Sequence, residues 1–440
     1  MRKRAERPIE EAAIRGMTVD GRGVADIEGK RVFVDAALTG ERVRFQRARK
    51  RRNYDEAELV EVLSAAPSRQ EARCEVFGVC GGCRLQHLEG SAQLGLKQQS
   101  LLEALDRIGK VTPERVLSPL VGEQFGYRRR ARLGVKYVEK KGRLLIGFRE
   151  RRKPYIADMG HCETLIPELA SLLPKLTELI ADLSVCRSTP QVELSADDST
   201  AALIFRVLEA PTERDLEKLA EFGRKNQVQV WLQTGGPATV APLNNVAYEP
   251  LRYALPDYGL QLEYGPLDFV QVNQGVNQLM IRQALDLLDP QPSERILDLF
   301  CGIGNFTLPL ARTGAHVTGV ELSPEMVSKA LQNAALNNLS NANFHAADLT
   351  TMDADAAWVG SYDTVVLDPP RAGAAEAIDF VVATGAQRIL YVSCHPGSLA
   401  RDAGVLVHEH GFQLKAAGAM DMFPQTSHVE AMALFERELE

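Results

Sequence analysis

Short apolar positions alternating with polar ones dominate the early part of this 440-residue chain, as in GMTVDGRGVADIEGKRVFVDAALTGERVRFQRARKRRNYDEAELVEVL. Alternation at period two, punctuated by Gly and Asp, predicts strands buried on one face, and several in succession predict a small OB-like β-barrel from about Ile14 to Val62. The pattern stops at Pro67, which bounds a first domain at residues 1–67. Cys74 to His87 reads as a loop, and a helix follows through Leu105. Strand-like stretches such as ARLGVKY and AALIFRVLEA then mix with the helical TERDLEKLAEFGRK, which predicts a central α+β domain over residues 68–270. The last domain, 271–440, changes texture after Gln291: RILDLF, HVTGVE, YDTVVLDPP and RILYVSC are apolar runs separated by helical periodicity. Such runs are buried on both faces, the signature of a parallel, doubly wound α/β sheet.

Composition adds two constraints. No apolar stretch approaches the roughly eighteen residues of a membrane span, and the N-terminus lacks a signal peptide's apolar core, so the expectation is a cytoplasmic protein with no membrane partner. A net charge of −7 argues against a polyanionic partner only if the charge is spread evenly. It is not: residues 1–54 hold 15 Lys and Arg against 8 Asp and Glu. Arg42, Arg44, Arg47, Arg49, Lys50, Arg51 and Arg52 form a run without an acid. Alone, such a run reads equally well as a solvated face; on a small barrel it points to phosphate contacts with an oligonucleotide. Arg128, Arg129, Arg130 and Arg132, and then Arg149, Arg151, Arg152 and Lys153, are further basic groups that fit either ordinary surface or RNA.

Candidate chemistry lies at the strand ends of the last domain. RILDLF runs into Cys301-Gly-Ile-Gly-Asn-Phe306, where glycines let the backbone turn sharply beside a ligand. Glu321 ends the next strand, nineteen residues after Gly302, placed to accept ribose hydroxyls, and Asp348 follows the strand after, placed to reach an adenine edge. The glycine spacing departs from the dinucleotide fingerprint, which disfavours NAD. Gly, acid, acid at successive strand ends resembles class I methyltransferases, which use S-adenosylmethionine. Asp368-Pro-Pro-Arg371 and Ser393-Cys394-His395-Pro396 follow two more strands. A lone strand-end cysteine is most often a packed thiol, but beside a methyl donor it reads as a nucleophile.

FVQVNQ at 269–274, DLFCGIGNF at 298–306, DPPRAG at 368–373, YVSCHP at 391–396 and SHVEAM at 427–432 together resemble the bacterial RNA uracil-C5 methyltransferases over essentially the whole chain. The resemblance implies that Gln271, Phe300, Asn305, Glu321, Asp348 and Asp368 bind S-adenosylmethionine. It also implies that Cys394 is the nucleophile and Glu430 the base. The first domain is similar to the TRAM module, an RNA-binding barrel.

Seven cysteines in a chain without a secretory signal suit metal binding or catalysis better than disulfides. Cys74, Cys80 and Cys83 lie together with Cys162 distant, and by spacing alone four thiolates suit either zinc or an iron–sulfur cluster. In the family this chain resembles, these positions hold a [4Fe–4S] cluster. Cys186 and Cys301 read as packing residues. Within the family, the presence of both barrel and cluster implies 23S rRNA as partner, and nothing in the sequence suggests an obligate oligomer.

Overall fold

The computed structural model describes residues 8–351 and 355–437; the basic residues Arg2, Lys3, Arg4 and Arg7 lie outside them. The barrel forms from β1 (Ile9–Ala13), β2 (Gly16–Met17), β3 (Arg22–Ile27), β4 (Lys30–Asp35), β5 (Arg42–Lys50) and β6 (Tyr54–Ser64). These pair in the order β1-β5-β6-β4-β3-β2, so the two halves of the bent first strand occupy opposite edges. At the bend, Ile14 N donates to Glu41 O at 2.8 Å and Arg15 N donates to Val24 O at 2.9 Å, which draws the edges together. Val32, Val34, Val43 and Phe45 fill the interior by period-two alternation. Gly23 is required there, since a Cβ would sit 2.8 to 2.9 Å from Ile14 and Ala37.

The barrel corrects the reading of the arginine run. Arg42 and Arg44 bind Glu11, Arg44 also binds Glu61, and Arg47 binds Glu10 and Asp55. β5 lies between β1 and β6, so the acids of its strand neighbours neutralise three of the seven cations of a run that has no acid of its own. Arg49, Lys50, Arg51 and Arg52, at the β5–β6 turn, remain exposed.

After the irregular cysteine loop come α1 (Gly90–Ala104) and the two-residue β7 (Arg115–Val116). Both pack on the C-terminal unit: Leu101 lies in its core, and β7 pairs with Ala416 and Ala417 at the edge of its sheet. The central sheet contains β8 (Arg130–Val138), β9 (Arg143–Gly147), β10 (Gln191–Ala196), β11 (Ala201–Arg206), β12 (Val228–Gln233) and β13 (Val240–Pro242). Helices α2 (Pro167–Ala170), α3 (Leu172–Ala181) and α4 (Glu213–Asn226) accompany it. Its order is β13-β12-β11-β10-β8-β9, with β11 and β12 parallel across α4, the crossover such a pair needs. A reciprocal box between Thr212 and Asp215 starts α4.

The hairpin β14 (Leu251–Leu255) and β15 (Leu260–Tyr264) buries its apolar face in the C-terminal core. Then follow α5 (Gln274–Leu288), β16 (Arg295–Leu299), α6 (Thr307–Arg312), β17 (His316–Glu321), α7 (Pro324–Leu336), β18 (Ala342–Ala346) and β19 (Thr364–Leu367). The chain ends with α8 (Ile378–Ala383), β20 (Arg388–Ser393), α9 (Pro396–His408), β21 (Gln413–Met420) and β22 (Glu430–Glu436). The sheet order is β18-β17-β16-β19-β20-β22-β21-β7; it reverses direction between β16 and β19, where open α/β sheets bind ligands. No helix among the described residues is long and apolar enough to cross a membrane.

Candidate active site and cysteine cavity

The turn after β16 is built by left-handed residues: Phe300 at φ 64°, Gly302 at 56° and Gly304 at 96°. Gly302 N donates to Glu321 Oε2 at 3.1 Å, and Glu321 Oε1 accepts from Leu322 N at 2.8 Å. The carboxylate expected at the ribose therefore also holds the glycine turn against the end of β17. Ala347 N donates to Glu321 O at 3.0 Å, which sets Asp348 alongside. Asp348 is exposed, and hydrogen bonds from Thr350 hold its carboxyl below the usual range. Asn305 Oδ1 accepts from Tyr253 at 3.0 Å and Asn277 at 2.9 Å, and Tyr253, Asn277 and Gln271 line one small cavity. Gln271 and Asn305 thus meet through a tyrosine and an asparagine that carried no local signal in the sequence.

Cys394 follows β20 and precedes α9, half-buried. Burial and the nearby Glu430 raise its thiol above the ordinary value, while Arg371 pulls it back down. Glu430, 4% exposed, begins β22 opposite Met420. Burial, then the charge of Asp368, push its carboxyl well above the usual range. Burial also raises Asp368 to about 7. Asp298, fully buried at the end of β16, is likewise raised to about 7, chiefly by burial, and it feels both Asp368 and Glu321. Its Oδ2 accepts from Thr307 at 2.5 Å while its Oδ1 has no partner. The glycine turn and the Cys394 group are therefore parts of one acidic site, electrostatically suited to a cationic ligand. Arg371 and Asp298 stood inside the quoted motifs without an assigned role. An acid within an apolar strand is the signal that marks Asp298.

Cys301, the other cysteine of this region, is buried against the core, as a packing residue should be. Cys186 packs partly buried in the central domain.

Cys74, Cys80, Cys83 and Cys162 all line one cavity of about 300 Å³. Burial raises Cys80 to about 11 and Cys83 to about 12. Among the described residues no His, Cys, Asp or Glu group is arranged around a single ion. The cavity's far wall is Phe423, Thr426 and His428, from the segment that leads into Glu430. Arg84 N and Leu85 N donate to Gln425 O at 2.8 and 3.0 Å. Gln93 exchanges side-chain and backbone bonds with Gln425 at 2.9 and 3.0 Å. Lys97 reaches Asp421 Oδ1 at 2.7 Å, both fully buried, so removing either partner would strand a charge.

A glycine turn, strand-end acids and a strand-end thiol at the switch of a doubly wound sheet define a Rossmann-like methyltransferase domain. A family model described as tRNA (uracil-5-)-methyltransferase matches residues 92–438, and the chain belongs to that family. Two similar curated proteins are named 23S rRNA (uracil(1939)-C(5))-methyltransferase RlmD. The one from Alkalilimnicola ehrlichii is 50% identical over 99% of this chain and 98% of its own. The one from Methylococcus capsulatus is 48% identical over 99% of both chains. The crystal structure of the Pyrococcus abyssi tRNA (uracil-54, C5)-methyltransferase shares the fold, with TM-score 0.75 and 24% identity over 97% of this chain and 99% of that one.

Proposed function

We propose that this protein transfers a methyl group from S-adenosylmethionine to carbon 5 of a uridine in 23S rRNA, with Cys394 as nucleophile and Glu430 as base. The observation that carries the reading is that three strand ends converge beside the glycine turn: Ser393 of β20 pairs with Ala431 of β22, which sets Cys394 and Glu430 at the same end of the sheet, and Asp368, after β19, donates its N–H to Leu299 O at 3.4 Å. S-adenosylmethionine supplies the electrophilic methyl when bound. The Cys394 thiolate adds to carbon 6 of the ring, and the displaced electron pair moves toward the carbon 4 carbonyl as an enolate. Carbon 5 then takes the methyl. Glu430 removes the carbon 5 proton, the 5,6 double bond re-forms, and the thiolate leaves. A carboxylate held above its ordinary range is the stronger base for that last step. Methyl transfer from labelled donor to unmodified 23S rRNA tests the reading; absence of label in the RNA would end it.

Gln271, Phe300, Asn305, Glu321, Asp348 and Asp368 would hold the donor. Glu321→Ala is expected to weaken donor binding by about 1.5–3 kcal/mol, roughly ten- to a hundred-fold in Kd, because a charge-assisted acceptor is lost. Wild-type affinity by calorimetry would move the site elsewhere.

The Arg371 charge favours the Cys394 thiolate. Arg371→Gln is therefore expected to raise the thiol's pKa further, so that adduct formation at neutral pH slows and its rising limb shifts to higher pH. A limb left in place, measured by rapid quench across pH, would remove Arg371 from this role.

Cys74, Cys80, Cys83 and Cys162 would hold a [4Fe–4S] cluster. Four thiols around a space wider than one ion suit a cluster better than a tetrahedral zinc. The role would be structural and RNA-positioning. Iron and sulfide analysis after anaerobic purification tests it, and stoichiometric zinc without iron would sink it.

A further inference from the structure

Where the barrel meets the cysteine loop, four arginines crowd two aspartates. Arg22 lies on β3, Arg84 directly follows Cys83, and Arg151 and Arg152 lie in the turn after β9. That turn is bonded to the cysteine loop by Gly81 N to Arg149 O at 2.9 Å and Arg151 N to Val79 O at 2.7 Å. The pairing is uneven. Asp20 accepts from Arg22 at 2.9 Å, and Asp35 pairs closely with Arg151. Arg84 reaches Asp20, and Arg152 reaches Asp35, only at 3.9 Å. Arg151 Nε is buried with no hydrogen-bond partner. The nearby Glu41 and Arg69 pair with each other and contribute no net charge. His87, with both ring nitrogens buried and unpartnered, is held neutral by burial, which lowers its pKa to about 4.

Two carboxylates thus face four guanidiniums. Arginine forks match the oxygens of a phosphodiester, so an anion here would satisfy donors the protein leaves idle. Beside the cluster, Arg22 lies 4.9 Å over the Phe33 ring, which meets Tyr54 edge-on at 5.4 Å, so this guanidinium is held in place by an aromatic face as well as by Asp20.

We propose that this seam is a phosphate-binding site that grips one backbone phosphodiester of the RNA substrate between Arg84 and Arg152. The inference rests on the RNA-substrate reading. The site would tie the RNA to barrel and cysteine loop at once, which makes it a positioning contact with no base selectivity.

The test compares Arg84→Gln, Arg152→Gln and the double variant with the wild type, measuring the Kd for a 23S rRNA fragment against salt. Each single change is expected to lower the salt slope by roughly 0.7–0.9 and to weaken binding about four-fold near physiological salt; the double change is expected to weaken it roughly fifteen-fold. Arg44→Gln is the control, because Glu11 and Glu61 already satisfy that guanidinium, and its slope should match the wild type. Melting temperature should not fall in Arg84→Gln, since like-charge crowding is relieved, whereas a purely structural seam would lose stability. A double variant with the wild-type slope overturns the proposal whether or not it melts earlier. So does an equal fall in Arg44→Gln. A wild type that binds no RNA would instead overturn the substrate reading, and this inference with it.

Discussion

Substrate RNA carrying 5-fluorouridine at the target position is expected to become covalently joined to the wild-type protein when S-adenosylmethionine is present. Carbon 5 then has no proton for Glu430 to remove, so elimination stops and the complex survives denaturing electrophoresis. The base must leave its stack to reach Cys394, as enzymes acting on bases generally require. Cys394→Ala should abolish both adduct and turnover, a loss of several orders of magnitude. The neighbouring alternative, Cys301, is buried, and burial raises its thiol well above the ordinary value. An adduct persisting in Cys394→Ala would nevertheless transfer the role to it. Glu430→Gln should do the opposite and accumulate a methylated adduct on ordinary RNA, because addition and transfer proceed while proton removal fails. Normal turnover by Glu430→Gln, with no trapped species, would assign the base elsewhere.

The second large effect concerns the cysteine cavity. If the four thiols hold the proposed cluster, Cys162→Ala is expected to give insoluble or RNA-binding-defective protein that lacks iron, since loss of a metal centre is among the few single changes costing more than about 4 kcal/mol. The geometry extends the consequence to catalysis. Phe423, Thr426 and His428 form one wall of the cavity, and Gln425 is bonded to the residues just after Cys83, so the arm that carries Glu430 leans on the cysteine loop. Cys186→Ala is the control, because Cys186 does not line the cavity. Full iron, wild-type melting and wild-type RNA affinity in Cys162→Ala would remove that cysteine from the site.

Much of this was legible locally. β16, β19 and β20 are buried on both faces, so their sequences read as nearly continuous apolar runs, while β17 alternates buried with part-exposed residues; the glycine turn, Glu321 and Cys394 were placed simply by standing where those strands end. The barrel was legible for the same reason, because period-two alternation is a property of neighbouring residues. Strand pairing is not. Arg42, Arg44 and Arg47 looked like unopposed charge, yet β1 and β6 bring Glu10, Glu11, Asp55 and Glu61 against them. α1 and the two-residue β7 carry no pattern that assigns them to a sheet three hundred residues later, and only the packing of Leu101 and the pairing with Ala416 do so. Glu430 is the sharpest case. An acid at the start of an apolar strand is ambiguous in sequence, and its burial, its raised pKa and its reach toward Cys394 arise because β22 inserts antiparallel between β20 and β21. Periodicity and turn chemistry act over a few residues, whereas charge compensation and the meeting of nucleophile with base depend on which distant strands the folded sheets make neighbours.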